Sequence, residues 1–318
     1  MAATAEGPRL DGQVAIVTGA GSGIGRAEAL ALAQRGARVV VNDIGIHHAD
    51  SAQWVANKIN SLGGIAVANT ESVATMEGGR NIVQTALDSF GRLDILVNNA
   101  GLGRRAPVTE MSEEDWDLTV AVNLKGCFTT VRHAAPIFRK QRRGIIINTS
   151  SDAGLGIHSL SNYAAAKEGV IGFTRAIAWE LGRYGVRCNA IRPRSFIAAE
   201  KHDYFKLFES RFGMPIVGNH PFGQMIHPLA TEVGAIVAWL CMIDAPGLNG
   251  RTLQVGGGEV GLWDEPKVGP VLFNPEGWDV ESISRLGHEL FTGLQDRRAQ
   301  LPDEAWTMIA ERPGKSAN

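Results

Sequence analysis

The sequence predicts a doubly wound α/β fold, a seven-stranded parallel sheet with helices on both faces. Three observations carry that expectation. Short runs rich in Val, Ile and Ala alternate with longer stretches of helical periodicity, the strand runs are mainly apolar without in/out alternation, and the first of them ends in a glycine-rich turn. Continuously apolar strands separated by helices are what a parallel sheet covered on both faces requires.

The strand runs lie at 14–18, 39–42, 65–68, 95–98, 145–149, 187–191 and 252–255, and the helical stretches near 24–35, 50–62, 76–89, 113–141, 160–183 and 231–242. No linker or repeat interrupts them, so residues 1–261 read as one domain. The first strand runs into Thr18-Gly19-Ala20-Gly21-Ser22-Gly23-Ile24-Gly25 and then a helix. Glycines there let the backbone turn tightly and approach a pyrophosphate seated on the helix N-terminus. The spacing set by Gly19, Gly23 and Gly25 is G-x-x-x-G-x-G rather than G-x-G-x-x-G, so the position after strand one carries the inference.

Strand two ends at Asn42-Asp43, and Asp43 follows Gly25 by 18 residues. An acid at that distance hydrogen-bonds the adenosine ribose, and its charge repels a 2′-phosphate. NAD rather than NADP is therefore the expected cofactor, and no Lys or Arg stands at 20–22 or 44–46 to argue otherwise. A loop acid or helix cap is the plainer reading of Asp43. Ser22 and Ile24 in the turn, Ile44 beside Asp43, and Ser72 after strand three join the cofactor set by position. Strand four ends in Asn98-Asn99-Ala100-Gly101, and Asn99, Ala100 and Gly101 are residues small or polar enough for a cofactor to pass closely. His47 and His48 find no ligand partners and read as surface residues. Arg104 and Arg105 read as a solvated pair, with attraction of an anionic substrate group as the sharper alternative.

Asn123 interrupts the predicted helix over 113–141, which starts after the cap candidate Ser112. Asparagine competes for backbone hydrogen bonds, so a kink or a bound water is expected there. Tyr163 and Lys167 stand at i and i+4 of the next helix and share a face. A phenol is a poor base at its reference pKa of roughly 10, and a nearby ammonium favours the phenolate. A serine from an upstream strand end, Ser150 or Ser151, would hold a substrate oxygen against the phenol. That is a proton-transfer site for an alcohol or ketone.

Bulk properties narrow the alternatives. A net charge of −2 gives no electrostatic reason to expect nucleic acid or an anionic membrane. No apolar run approaches the roughly 20 residues of a membrane helix. Three scattered cysteines, Cys127, Cys188 and Cys241, suit a reducing compartment, and the first residues carry no signal-like pattern, so a cytoplasmic location is expected. No metal-ligand cluster is apparent.

With these motifs in order, the chain resembles the classical short-chain dehydrogenases/reductases over about residues 10–258. The resemblance rests on 18–25, 98–101, Asn123, the serine at 150/151, Tyr163-x-x-x-Lys167 and Asn189-Ala190-Ile191-x-Pro193. It implies a Rossmann fold, a homo-oligomer (tetramer or dimer), Tyr163 as general acid/base, and Lys167 tuning it while bonding the nicotinamide ribose. It further implies a serine that polarises the substrate oxygen, Asn123 holding a relay water, and Pro193 near the nicotinamide. Ser151 opens Ser-x-x-Gly but lies 12 residues before Tyr163 where the family commonly has 13, the distance of Ser150. Loops tolerate deletion better than strand ends, so Ser151 is preferred. Where the family often continues Pro-Gly with a threonine on the nicotinamide amide, this chain has Pro193-Arg194-Ser195. Arg192 and Arg194 read as ordinary salt-bridging residues. The runs 39–43, 91–94 and 114–117 also resemble the dehydrogenase domain of peroxisomal multifunctional enzyme type 2 and its bacterial relatives, which implies NAD-dependent oxidation of 3-hydroxyacyl-CoA.

Five of the 11 phenylalanines lie between 196 and 222, in the expected substrate lid at about 194–228, and point to a bulky apolar substrate or to packing of the lid itself. Residues 262–318 hold three of seven tryptophans, so this extension is expected to pack on the body or on a partner subunit, covering part of a neighbouring active site. The rival readings are a non-catalytic NAD-sensing protein on the same fold and an NADPH-dependent 3-oxoacyl reductase. A serine hydrolase is disfavoured because no G-x-S-x-G elbow is present.

Overall fold

The structure is a computed structural model and describes residues 9–46, 50–156, 158–193, 229–245, 247–256 and 258–291. The expected lid, Arg194, His47, His48 and the tail beyond 291 lie outside the described residues. The chain divides into two compact units, Met1–Phe196 with Met225–Trp263, and Ile197–Gln224 with Asp264–Asn318.

The first unit is built on one sheet. Its strands are β1 (Val14–Thr18), β2 (Arg38–Asn42), β3 (Ile65–Asn69), β4 (Ile95–Asn98), β5 (Gly144–Thr149), β6 (Val186–Pro193), β7 (Thr252–Gly256) and β8 (Glu259–Leu262), in the spatial order 3-2-1-4-5-6-7-8. The seven expected strands are parallel. The eighth, which the sequence reading did not anticipate, runs antiparallel to β7 after a turn with φ of +108° at Gly256 and +80° at Gly258. Four residues holding a glycine carry too little β signal of their own, although the Gly256–Gly258 run is a hairpin cue.

Side chains alternate across each strand, so one run feeds two cores. Ala15, Val17, Val39, Val41, Ile95, Val97 and Ile147 meet α1 (Gly23–Gln34), α2 (Ser51–Ser61) and α7 (Leu229–Met242). Val14, Ile16, Val40, Leu96 and Ile146 meet α3 (Met76–Phe90), α5 (Gly126–Gln141) and α6 (Ser161–Gly182). At the lower edge, buried Asp94 accepts from Val14 N at 2.9 Å and from Arg92 at 2.6 and 2.8 Å, so β1 and β4 start in register.

The predicted helix over 113–141 is divided into α4 (Glu113–Val120), a π-helical turn (Ala121–Lys125) and α5. Asn123 causes it: its amide donates to Thr119 O at 2.9 Å and to Leu102 O at 2.7 Å, competing with the backbone ladder. In the second unit, α8 (Val280–Leu286) opens on a capping box between Asp279 and Ser282.

Glu28, on the inner face of α1, is fully buried, and neither carboxylate oxygen has a hydrogen-bond partner among the described residues. Its helix lies tight against α7, where a Cβ on Gly234 would be 2.5 Å from Ala27 O. Burial pushes the Glu28 carboxyl up to about 8. The folded protein therefore holds a proton that the unfolded chain releases above the ordinary carboxylate range, and stability falls as pH rises toward 8. Glu28→Gln is expected to remove this slope. Urea denaturation at pH 5.5, 7 and 8 should show the variant gaining on the wild type by up to about 1.4 kcal/mol per pH unit; parallel curves would show that Glu28 does not titrate with folding.

Candidate active site

In the order 3-2-1-4-5-6-7, consecutive connections leave β1 and β4 in opposite directions, so a crevice opens at their C-terminal ends. Gly19 sits there with φ +64°, and a Cβ on it would lie 2.8 Å from Ala100 Cα. Only glycine lets the two strand ends meet. A Cβ on Gly25 would fall 2.3 Å from Gly19 O and 2.4 Å from Asn99 Nδ2. Asn99 holds the turn: Nδ2 donates to Thr18 O at 3.0 Å and Gly19 O at 3.3 Å. The backbone amides of Asn99 and Ala100 both donate to Thr18 Oγ1 at 3.1 Å. The cap residue Ser22 makes no side-chain cap bond and the space beside Gly23 is open, so the first amides of α1, including Ile24, have no side-chain acceptor among the described residues. This donor set fits a pyrophosphate.

Asp43 borders the same turn. Its Oδ2 accepts from Gly21 N at 3.0 Å, and its Oδ1 accepts from Gly45 N at 2.8 Å and Ser51 Oγ at 3.1 Å. Three donors keep the carboxylate at the end of β2, half-buried, with acceptor capacity left over. Ile44 next to it is 49% exposed, an apolar ledge at the rim. Ser72 follows β3, where its Oγ accepts from Ala74 N at 3.3 Å, and Asn42 Nδ2 ties this turn to β2 through Glu71 O at 2.8 Å.

Across the crevice, α6 presents Tyr163 and Lys167 together, with the ammonium 5.5 Å from the phenol ring centroid. Lys167 is 2% exposed, and its Nζ donates to Thr149 O at 2.8 Å. Its own carbonyl accepts from Ser150 Oγ at 2.8 Å. That bond separates the two serines. Ser150 is buried with its proton spent on Lys167, whereas half-buried Ser151 accepts through Oγ from Ala153 N at 3.2 Å, leaving its own O–H to donate elsewhere. The buried Asn123 Oδ1 has no partner among the described residues. A Cβ at Gly101 would lie 2.7 Å from it and 3.3 Å from Lys167 Nζ, so the bare Gly101 leaves both polar ends open to one small space. A Cβ at Gly103 would lie 3.9 Å from Tyr163 Cδ2.

Pro193 closes β6 beside this site. Arg192, just before it, ion-pairs with Glu168, and Arg104 does so with Asp115 at 3.5 Å. The sequence reading missed the reach of Arg192, which bears on Ser151 O and Trp263; its signal was a charge directly before the proline that ends the strand. The cysteines are free thiols, and burial raises Cys127 to about 11, Cys241 to about 12 and Cys188 further still, so none is a ready nucleophile. No cluster that could hold a metal occurs among the described residues.

A dinucleotide-type crevice facing a half-buried Tyr163 beside a buried Lys167 is the arrangement of a nicotinamide-dependent oxidoreductase. The chain belongs to the short chain dehydrogenase family, whose model matches residues 13–203. It is 39% identical over 261 residues to the mouse (Mus musculus) peroxisomal multifunctional enzyme type 2, a match covering 80% of this chain and 33% of that protein. It therefore spans about a third of that relative's length. It is also 39% identical over 253 residues to a Synechocystis 3-oxoacyl-[acyl-carrier-protein] reductase, covering 79% of this chain and 98% of the relative. A short chain dehydrogenase from Mycobacterium avium superposes with a TM-score of 0.77 at 38% identity, covering 90% of this chain and 97% of that one.

The crowding at Gly25 yields a direct test. Gly25→Ala is expected to lower stability by about 1–3 kcal/mol and to weaken NADH binding roughly tenfold or more, read by urea denaturation and fluorescence titration. Unchanged values would show that the turn relaxes around a methyl group.

Proposed function

We propose that the protein interconverts a secondary alcohol and a ketone with NAD(H), on a bulky apolar substrate such as a 3-hydroxyacyl-CoA or a hydroxysteroid. The observation that carries this reading is the buried Lys167 ammonium beside Tyr163, sharing one small space with the Asn123 amide. A nicotinamide cofactor held here would supply the hydride acceptor for alcohol oxidation and the hydride donor for ketone reduction. The chain's residues do the rest. Gly19, Ser22, Gly23, Ile24 and Gly25 hold the pyrophosphate; Asp43, Ile44 and Ser72 take the adenosine; Asn99, Ala100, Gly101 and Pro193 line the path to the nicotinamide.

Tyr163 takes the alcohol proton in oxidation and gives it back in reduction. Ser151 donates its O–H to the substrate oxygen and orients it. Lys167 keeps positive charge next to the phenol and bonds the nicotinamide ribose, and Asn123 connects it to a water that renews the proton. Apart from its electrons, the reaction is a matter of orientation and proton transfer.

Likeness to a 3-oxoacyl-[acyl-carrier-protein] reductase favours a second reading, reduction of a 3-oxoacyl thioester with NADPH. The Asp43 carboxylate speaks against it, because a 2′-phosphate would approach a negative charge. A non-catalytic NAD sensor would bind cofactor without turnover. We further infer a cytoplasmic homo-oligomer; the free buried thiols and the 88% exposed Trp179 support it.

NADH formation across hydroxysteroids, 3-hydroxyacyl-CoAs and cyclohexanol, paired with 3-oxoacyl thioesters and NADPH, separates these readings. Tyr163→Phe is expected to lower kcat by about 10²–10⁴-fold while NADH affinity stays near wild type. Equal turnover in the variant would refute the proton role. Asp43→Ala should weaken NAD and partly admit NADP, read as the ratio of the two kcat/KM values. A ratio that does not move would show that another group reads the ribose.

A further inference from the structure

Arg192 is 4% exposed at the C-terminal end of β6, a charged side chain held almost entirely out of solvent. A buried guanidinium is costly unless it is paired with an opposite charge and hydrogen-bonded. Nη1 donates to Ser151 O at 2.9 Å and Nη2 to Glu168 Oε1 at 2.5 Å. Its flat face lies 4.9 Å from the Trp263 ring centroid, and its Nε has no partner among the described residues.

Its acceptors belong to separate parts of the site. Ser151 begins the 3₁₀ turn Asp152–Leu155 after β5, and Glu168 directly follows Lys167 on α6. One planar fork thus joins the serine turn, the Tyr–Lys helix and the end of β6. Gly154 seals the arrangement, since a Cβ there would lie 2.7 Å from Glu168 Oε1 and 3.4 Å from Arg192 Nη1. Gln254 on β7 braces it from below: Nε2 donates to Arg192 O and to Asp152 Oδ2, both at 3.1 Å, and Oε1 accepts from Trp263 Nε1 at 3.0 Å.

We propose that Arg192 is a positioning residue for the reaction: by gripping the carbonyl of Ser151 and the carboxylate of Glu168 it sets the Ser151 hydroxyl at its distance from Tyr163. A plain salt bridge would need only Glu168. The bond to a main-chain carbonyl is what fixes the turn, because that carbonyl also accepts from Gly154 N at 3.0 Å and the Ser151 Oγ accepts from Ala153 N of the same turn. Lysine brings the charge but not the rigid planar fork that holds both acceptors at fixed angles. This inference rests on the proposed role of Ser151 and goes beyond it to the residue that aims it.

The test is a double-mutant cycle on Arg192→Met and Ser151→Ala, scored by kcat/KM on the best alcohol of the panel above, with NADH affinity measured alongside. Arg192→Met alone should lose on the order of 10- to 100-fold, because a misplaced group of about 1 Å has that effect. In the Ser151→Ala background the further loss should be under about twofold, since nothing remains to be aimed. Arg192→Lys should recover part of the activity. Equal losses in both backgrounds, or none in either, would overturn the proposal. If Tyr163→Phe keeps full turnover, the reading of the site fails; if it does not and the cycle shows no coupling, only the role of Arg192 fails. Amide exchange over Asp152–Leu155 is an independent arm that needs no substrate. It should speed up in Arg192→Met, or in Glu168→Gln should the first variant fail to fold, and unchanged exchange would show that the turn holds itself.

Discussion

One reciprocal contact keeps the site together. Lys167 reaches out with its ammonium to the carbonyl of Thr149, and its own carbonyl takes the hydroxyl of Ser150. Two hydrogen bonds through neighbouring residues thus clamp the beginning of α6 to the end of β5. Because the lysine is buried, each of its donors needs a partner, and the orientation of its side chain is dictated by the strand and not by solvent. Tyr163, one turn earlier on the helix, inherits that orientation.

Beneath the clamp runs a polar ladder that the site rests on. Asn98 Nδ2 donates to Asn148 Oδ1 at 2.8 Å, Thr130 Oγ1 donates to Asn98 Oδ1 at 2.7 Å, and Asn148 Nδ2 donates to Thr174 Oγ1 at 3.0 Å. It links β4, β5, α5 and α6 through buried groups. A buried network of this kind is stabilising only when every member is satisfied, which makes its geometry exacting. The contrast with Asn99, whose amide serves the glycine turn instead, shows how adjacent asparagines on alternating faces divide two tasks.

Much of this was legible in the chain itself. The seven parallel strands announce themselves because burial on both faces demands uninterrupted Val and Ile, and Tyr163 and Lys167 are legible because helical spacing alone places them side by side. The glycine turn is readable from its place after β1, though not the reason Gly25 cannot be alanine, which depends on Gly19 and Asn99 arriving from other strands. The long helix was visible, but its π turn required knowing that Leu102 O lies within reach of Asn123. β8 escaped because four residues with a glycine hold little local preference and are set by pairing with β7. Spacing counts left Ser150 and Ser151 close rivals; the partner of Ser150, its hydroxyl turned onto Lys167, is a three-dimensional fact. Arg192 stood out as a charge, while its company on three other elements belongs to the fold.

The sheet separates the interior into two cores, one shared by α1, α2 and α7 and the other by α3, α5 and α6. Such compartments touch mainly through strand backbones, so changes in side-chain volume on one face have few common neighbours with changes on the other. Substitutions in opposite compartments then combine without interference. A lineage can rework the face that lies behind the cofactor turn while the face behind the tyrosine helix stays as it is, and the crevice at the strand ends remains open to both histories.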